Sequence, residues 1–319
     1  MKTSPPGTGS PRLLLPLAAL LSAIALVPGS RASENTPRRP FAQAANLPAP
    51  GQWVAGLVYE ESEAYYVWAR NQRTDITLKA GGESYGIDIN QGYLTLDYGI
   101  AERWAADLNV GATTVGWRSF DPAGAIHSTV GLMDVAFGVR YQILKEGEGD
   151  CPWAPTLTFR AGAILPGNFN KDIVFAPGNH SAAIEPSLLA RKHFGWTGFG
   201  AYTDVLFRWM RTTRADQYIG SVGLFQEING WELNVGYRHL QSIAGDDLVL
   251  TPTPPTFTIA YPRAVRENSD AIEAGFSYTT SKWHIRYGFH SRTIFDGSNT
   301  DKKFWLGASI DVPFDIFNN

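Results

Sequence analysis

The sequence predicts an all-β fold: a closed antiparallel transmembrane β-barrel of about twelve strands, with short periplasmic turns and longer extracellular loops. Three observations lead to this prediction. Apolar and polar residues alternate with period two through most of the chain, as in residues 303–314, which is typical of strands with two different faces. Aromatic residues gather near strand ends, as in the interfacial girdles of membrane barrels. Short and long connections largely take turns along the chain, which matches the two ends of such a barrel.

The first 51 residues are expected to precede the barrel. Lys2 and Arg12 flank the start of an apolar run at residues 13–27, which is shorter than the roughly 20 residues of a membrane-spanning helix and fits a secretory signal. We therefore expect a signal peptide at residues 1–32, cleaved after Ala32; cleavage after Ala44 and an uncleaved membrane anchor are the alternatives. Residues 33–51, rich in Pro, Ala and Asn, are expected to form a flexible periplasmic leader. The barrel then occupies residues 52–319.

Twelve alternating segments account for the rest of the chain, and an even number returns both termini to the periplasmic side. In one of them, Trp231, Leu233 and Val235 share a face opposite Glu232 and Asn234. Closure is expected because hydrocarbon offers no hydrogen-bond partner to an open strand edge. The predicted strands are 52–59, 87–99, 103–117, 129–143, 155–166, 182–192, 197–211, 216–228, 231–243, 269–280, 283–293 and 302–314.

A soluble sandwich or barrel would alternate in the same way, with its apolar face in the core. The membrane barrel is favoured because the polar face carries glycine, serine and charges of both signs, as a packed polar lumen would. The composition agrees, since only 18% of the 319 residues are charged while 13% are aromatic. A formal charge of −3 excludes nucleic-acid binding by bulk positive charge. A single cysteine excludes a disulfide framework and a cysteine-rich metal cluster.

Three stretches resemble a known family. Residues 131–141 (GLMDVAFGVRY) resemble its "G-L-G-D-hydrophobic" strand, with Met133 in place of the usual glycine. Residues 159–168 (FRAGAILPGN) resemble the "G-h-h-P-T-G" ending of its next strand, and residues 48–53 (PAPGQW) open a first strand after the signal. The family is the outer-membrane transporters of the meta-pathway of phenol degradation, with related barrels. The resemblance implies passive uptake of small hydrophobic or aromatic solutes across the cell outer membrane.

We therefore expect a channel rather than an enzyme, without a cofactor or a metal. Its expected partners are a small-molecule solute, outer-membrane lipids and lipopolysaccharide, and the barrel assembly machinery, with no nucleic acid. Charged side chains of the polar face are expected to set the field along the path, and Trp117 and Phe225 to interrupt that face with apolar surface. The charged residues predicted to line the lumen are Arg140, Arg160, Arg208, Arg238, Arg286, Asp134, Asp204 and Glu232.

Two other functions stay open at this point. One is a closed structural barrel, in which bulky side chains fill a narrow lumen. The other is a surface lipid hydrolase, for which His239 with Ser242, or His290 with Ser291, are the candidate pairs. Residues one or three apart in a regular strand point to opposite faces, so neither pair is expected to form a catalytic dyad. His284 and His290 would be separated by about 20 Å of strand, which argues against a metal site.

Overall fold

The computed structural model describes residues 44–75, 78–80, 83–118, 126–148, 153–168, 181–195, 197–211, 215–253, 256–260 and 265–315. Twelve strands form one closed antiparallel sheet, which confirms the predicted fold, and β4 consists of two pieces. The strands are β1 Gln52–Ala69, β2 Ile87–Ala101, β3 Trp104–Arg118, β4 Ile126–Leu132 with Val135–Leu144, β5 Thr156–Leu165, β6 Ala183–His193, β7 Phe199–Met210, β8 Gln217–Ile228, β9 Trp231–Ser242, β10 Asn268–Thr279, β11 Arg286–Ser298 and β12 Thr300–Asp315.

The barrel closes through its first and last strands. The ladder between β1 and β12 runs from the Gln52–Asp315 pair to the Trp68–Thr300 pair, with one irregularity between Ala64 and Tyr66. Because β1 also pairs with β2, the sheet has no free end, as surroundings without hydrogen-bond partners require. Near its end, β1 also pairs with the short strand Gln72–Asp75, and four further short strands lie outside this sheet: Leu78–Ala80, Glu83–Tyr85, Val249–Thr253 and Thr256–Ala260.

The exterior of the barrel is its apolar face. On β9, Leu233 is 56% exposed and Val235 51% exposed, whereas Glu232 is only 3% exposed. A soluble barrel would bury the apolar side chains and expose the carboxylate. The exterior is therefore the surface that lipid chains would cover, and the polar face lines the interior. Among the described residues, no helix is long and apolar enough to cross a bilayer.

Aromatic pairs mark one end of the barrel on its exterior. This end carries the connections that follow β2, β4, β6, β8 and β10, and we call it the short-turn end; the opposite end is the long-loop end. An aromatic ring with one polar edge suits the boundary between hydrocarbon and water. Three tryptophan–tyrosine pairs have ring centroids 4.5 to 4.8 Å apart here: Trp53–Tyr98, Trp104–Tyr141 and Trp231–Tyr278.

Several strands reach further toward the long-loop end than predicted. β1 continues to Ala69 instead of ending at residue 59, because its later residues keep pairing with β12. β11 and β12 meet at Asn299, where a loop was predicted at residues 294–301, and a positive φ of 54° at Asn299 allows that tight turn. At the short-turn end, β11 begins at Arg286 rather than residue 283, since His284 lies in a turn with positive φ.

Strand β4 is interrupted at Met133 and Asp134, although a continuous strand was predicted over residues 129–143. The exterior face shifts by one residue at the break, since Val130 is exposed before it and Phe137 and Val139 are exposed after it. An extra residue in one strand of a pair has this effect because side chains alternate with period two. The break lies in the stretch on which the family resemblance partly rests.

Candidate functional site

A series of alternating positive and negative side chains runs along the inner wall of the barrel, beginning near the short-turn end. Arg140 on β4 donates a hydrogen bond of 2.6 Å to Asp97 on β2 and lies 3.5 Å from Asp107 on β3. Arg160 on β5 donates to both oxygens of Asp107, at 3.0 and 2.7 Å. Arg140 and both aspartates are buried, so each charge is compensated by opposite charges where water has little access.

The series continues toward the long-loop end through β6 and β7. Arg160 lies 3.9 Å from Glu185 on β6, and Arg208 on β7 donates to Glu185 at 2.7 Å and to Gln217 on β8 at 3.1 Å. Seven neighbouring strands thus contribute one inward side chain each to a continuous set of polar contacts. We call the charged members the charge ladder: Asp97, Asp107, Arg140, Arg160, Glu185 and Arg208.

A second ionic network lies at the short-turn end. Arg191 on β6 donates to Glu227 at 2.6 Å and to Glu232 at 3.3 Å, and Arg286 lies 3.6 Å from Glu232. The guanidinium carbon of Arg191 is 3.7 Å from the ring centroid of Phe225, a distance at which a cation and an aromatic face attract each other. Phe225 therefore packs beneath a charge instead of lining an apolar constriction by itself.

A third network joins β9, β10 and β11. Glu273 accepts a hydrogen bond of 2.6 Å from Arg292 and lies 3.9 Å from Arg238. Asp204 on β7 faces the same part of the lumen, and one of its buried carboxylate oxygens has no hydrogen-bond partner among the described residues. Six of the eight charged residues predicted to line the lumen are thus divided among three networks: Arg140, Arg160 and Arg208 in the first, Glu232 and Arg286 in the second, and Arg238 in the third.

Two predicted lumen residues have a different placement. Asp134 lies at the break in β4, where its carboxylate accepts a hydrogen bond of 2.9 Å from the backbone NH of Gly167. The backbone NH of Leu132 donates a bond of 2.7 Å to the side chain of Asn168. These two bonds hold the start of the loop after β5 against the broken strand. The side chain of Trp117 lies outside the described residues.

The long-loop half of the lumen carries two apolar clusters. In the first, Ile89 on β2 and Val115 on β3 are fully buried, with Trp305 on β12 packed against them. Val115 follows Asp107 on the same strand by eight residues, which is about 26 Å of strand. On β3, charged and apolar lining thus occupy different depths, whereas Glu185 and Arg208 of the charge ladder lie two residues from members of the second cluster. The second cluster consists of Ile164, Ala183 and Met210.

The short-turn end of the lumen is occupied by residues 44–51, the last part of the predicted leader. Thr158 on β5 donates a hydrogen bond of 2.6 Å to the carbonyl oxygen of Ala45. Arg140 donates to the carbonyl oxygens on both sides of Ala45, at 3.4 Å each. These residues are therefore held against the wall by the arginine that begins the charge ladder. Residues 1–43, with the predicted signal peptide, lie outside the described residues.

The turn after β4 is tied to β6 by Glu146. Its carboxylate accepts hydrogen bonds of 2.8 Å from the Lys192 ammonium and 3.0 Å from the backbone NH of His193. Burial opposes ionisation of Glu146, but the bonds from Lys192 and His193 together outweigh it and lower the pKa of this carboxyl. His193 also lies 3.2 Å from Glu227, which links this turn to the second ionic network.

At the long-loop end, the tip of β1 reaches across to the loop after β9. Trp68 packs among buried side chains of β10 and β11, and Arg70 lies 3.3 Å from Asp247. Asn299 joins both, since its side chain accepts a bond of 2.8 Å from the backbone NH of Arg70 and donates one of 2.9 Å to Asp247. A cavity of about 820 Å³ lies between this cluster and the ends of β9 and β11.

The candidate catalytic pairs do not come together. His239 lies on the exterior face, 2.7 Å from Asp270, whereas Ser242 is buried and its hydroxyl accepts a bond of 3.1 Å from the backbone NH of Glu267. His290 is buried and lies 2.8 Å from Glu60. Within the part of the chain that the structure describes, no group of three or more His, Cys, Asp or Glu side chains could hold a metal ion.

The predicted site omitted Arg191, Glu273 and Arg292, which carry the second and third networks. A signal for two of them exists in the sequence, because residues an even number of positions apart in a strand share a face, which we call the same parity. Arg292 has the parity of Arg286, and Glu273 has the parity of the polar face of β10. Parity gives the direction of a side chain but not its partner on another strand. The pairing therefore emerged only from the register of the closed sheet.

Comparison with known proteins agrees with this architecture. No protein-family model matches the chain, and no curated protein matches it. Among solved structures, the COG4313 outer membrane channel from Pseudomonas putida F1 superposes with a TM-score of 0.63 at 15% sequence identity, over 91% of this chain and 100% of that chain. The chain shares the fold of that channel.

Two further barrels are more distant. The translocator domain of the autotransporter NalP from Neisseria meningitidis has a TM-score of 0.44 at 11% identity, over 93% of this chain and 95% of that one. A deltaS2S3 mutant of the TodX monoaromatic hydrocarbon channel has a TM-score of 0.42 at 9% identity, over 86% and 92%.

Proposed function

We propose that the protein is an outer-membrane channel through which small hydrophobic or aromatic solutes pass down their gradient, without a cofactor. The observation that supports this most is the lining of the long-loop half of the lumen, where two apolar clusters face the interior. A general porin has a polar, water-filled interior. Apolar lining instead favours solutes that gain free energy by leaving water.

Membership of the meta-pathway family and placement in the outer membrane belong to the same proposal. The strand motifs at residues 131–141 and 159–168 support the family, and the barrel fold shared with an outer membrane channel supports the location. In this setting lipids and lipopolysaccharide would surround the apolar exterior, and the barrel assembly machinery would insert the chain.

The path we propose begins at the long-loop end and passes both the apolar and the charged lining. A solute that passes the polar cluster around Asp247 meets the apolar surface of Trp305 and Ile89. It also passes the charge ladder, which runs along the wall to the short-turn end and in which arginines and carboxylates neutralise one another. Charges that are paired with one another discriminate less between charged solutes than an unpaired charge would. We therefore expect the apolar lining to determine most of the selectivity.

Trp305 gives the sharpest test, because its neighbour Phe304 lies on the exterior face and is 50% exposed. We expect proteoliposomes of the parent protein to swell faster in isosmotic phenylalanine than in isosmotic glutamine, two zwitterions that cross lipid poorly. Trp305→Gln should reduce this preference several-fold. Phe304→Leu, the matched change on the lipid-facing side, should leave it unchanged.

Two results would contradict the proposal. Equal swelling in both amino acids by the parent protein would remove the aromatic preference. An absence of swelling in any solute, both from the parent and from Gly99→Ala, whose new Cβ would push residues 48–49 off the wall, would overturn the channel itself, provided that both barrels are shown to be folded by circular dichroism. A structural role would then fit best, for a closed barrel whose lumen is filled by ion pairs and by residues 44–51.

A further inference from the structure

The lumen wall at the short-turn end has a docking surface whose occupant is a segment of the chain itself, residues 44–51. Ala45 and Leu47 of this segment are buried. The wall supplies the hydroxyl of Thr158 and the guanidinium of Arg140, both of which donate to main-chain carbonyl oxygens of the segment. Thr158 is itself fully buried, so its hydroxyl depends on this contact for a partner.

The wall also makes room for the segment at Gly99 on β2. A Cβ atom at this position would overlap the carbonyl oxygens of Ala49 and Pro48. Only glycine therefore permits the approach, which also allows the backbone NH of Gly51 to donate a bond of 2.7 Å to the carbonyl of Gly99. The segment and the wall are thus shaped to each other over its length, from Ala45 to Gly51.

We propose that residues 44–51 form a plug that closes the short-turn end of the lumen at rest, and that solutes leave only when the plug moves aside. This inference rests on the proposed channel function. The bonds from Arg140 and Thr158 reach main-chain oxygens of the segment, while Arg140 has its own carboxylate partners, Asp97 and Asp107. The plug can therefore leave without unpairing the arginine, so displacement need not disrupt the barrel.

The docking is tested first, by a measurement that does not depend on transport. In full-length protein carrying Cys151→Ser, Leu47→Cys is treated with a membrane-impermeant maleimide. Because the position is buried, we expect slow labelling, and we expect Gly99→Ala to accelerate it about tenfold or more by favouring the undocked state. Gly92→Ala is the matched control on the same strand, since a Cβ there meets nothing within 4 Å; it should leave the rate unchanged.

The closure is tested second, by single-channel recording of the same proteins without the cysteine at position 47. Gly99→Ala should raise conductance or open probability several-fold over both the parent and Gly92→Ala. Thr158→Val, which removes the bond to Ala45 but adds no bulk, should give a smaller change in the same direction. Agreement between faster labelling and higher conductance would support a plug.

The two measurements separate the possible failures. If labelling accelerates in Gly99→Ala while its conductance equals that of a conducting parent, the segment docks but closes nothing, and the plug is overturned while the channel stands. If labelling is fast in the parent, the segment is not docked, and the plug is again overturned. If no variant conducts although labelling behaves as expected, the channel function fails, and the plug fails with it.

Discussion

On β3 the chain turns Asp107 into the lumen near the short-turn end and, eight residues later, turns Val115 into the same lumen. Asp107 is held by two arginines from β4 and β5, whereas Val115 packs in an apolar cluster with Ile89. A buried charge depends on specific partners because it has lost its hydration, while a buried apolar side chain needs only a close-packed surface. The two ends of β3 therefore differ in how much each inward residue depends on residues from other strands.

The largest expected effect comes from breaking the charge ladder at Arg160. Arg160→Ala leaves the buried carboxylates of Asp107 and Glu185 without this cation, and removing one partner of a buried ion pair typically costs about 3–5 kcal/mol. Because Asp107 keeps Arg140 and Glu185 keeps Arg208, we expect the free energy of unfolding to fall by up to that amount in urea titrations of the protein in detergent micelles, followed by tryptophan fluorescence.

Arg103 provides the matched control, because it is also paired with a glutamate but at the surface. The side chains of Arg103 and Glu148 are 48% and 46% exposed at a distance of 3.0 Å. Exposed pairs of this kind contribute about 0–1 kcal/mol, so Arg103→Ala should change the unfolding free energy by no more than that. Equal losses in the two variants would show that the lumen is well hydrated and that the ladder is no more than a set of surface pairs.

A smaller effect is expected from a matched pair of substitutions on β3. Val115→Thr places a hydroxyl of similar size in the first apolar cluster, where a polar group without a partner costs about 1–3 kcal/mol. Thr113→Val, two residues away on the same inward face, removes one bond of 3.1 Å to the carbonyl oxygen of Asn90 and should cost about 0.5–1.5 kcal/mol. The same titrations measure both. A larger loss for Thr113→Val would mean that water reaches position 115.

The direction of a side chain and its partners were predictable to different degrees. Period-two alternation identified the barrel and the inward direction of Arg140, Arg160 and Arg208, because parity is a local property of a strand. The partners of these arginines depend on the register of non-local strand pairs, so no single segment contains them. The break at Met133 and Asp134 was missed for a related reason, since a bulge shifts parity without a distinctive residue pattern.

Some glycines were evident in the sequence, but their role depends on a group from another part of the chain. Gly138 lies within β4 and Gly162 within β5, and a Cβ at either position would press against the guanidinium of Arg160. The glycines therefore make space for the arginine that links Asp107 to Glu185. In the same way, Gly99 makes space for residues 44–51, which composition alone suggested to be a free leader. Glycine in a strand signals a close approach, but the approaching group must be found in the fold.

The smallest effect is expected outside the barrel wall, at Glu146. The lowered pKa of this carboxyl, whose ordinary value is 4.5, means that its ionised form is bound more favourably in the folded protein. Its contribution to stability is therefore present above about pH 4.5 and is lost as the pH falls through the lower folded-state pKa. Glu146→Gln should lower the free energy of unfolding by less than about 1 kcal/mol at pH 7, because the site is partly solvated. That difference from the parent should shrink as the pH is lowered below 4.5. A difference that stays constant across this range would show that Lys192 and His193 hold the turn through its shape, independently of the charge on Glu146.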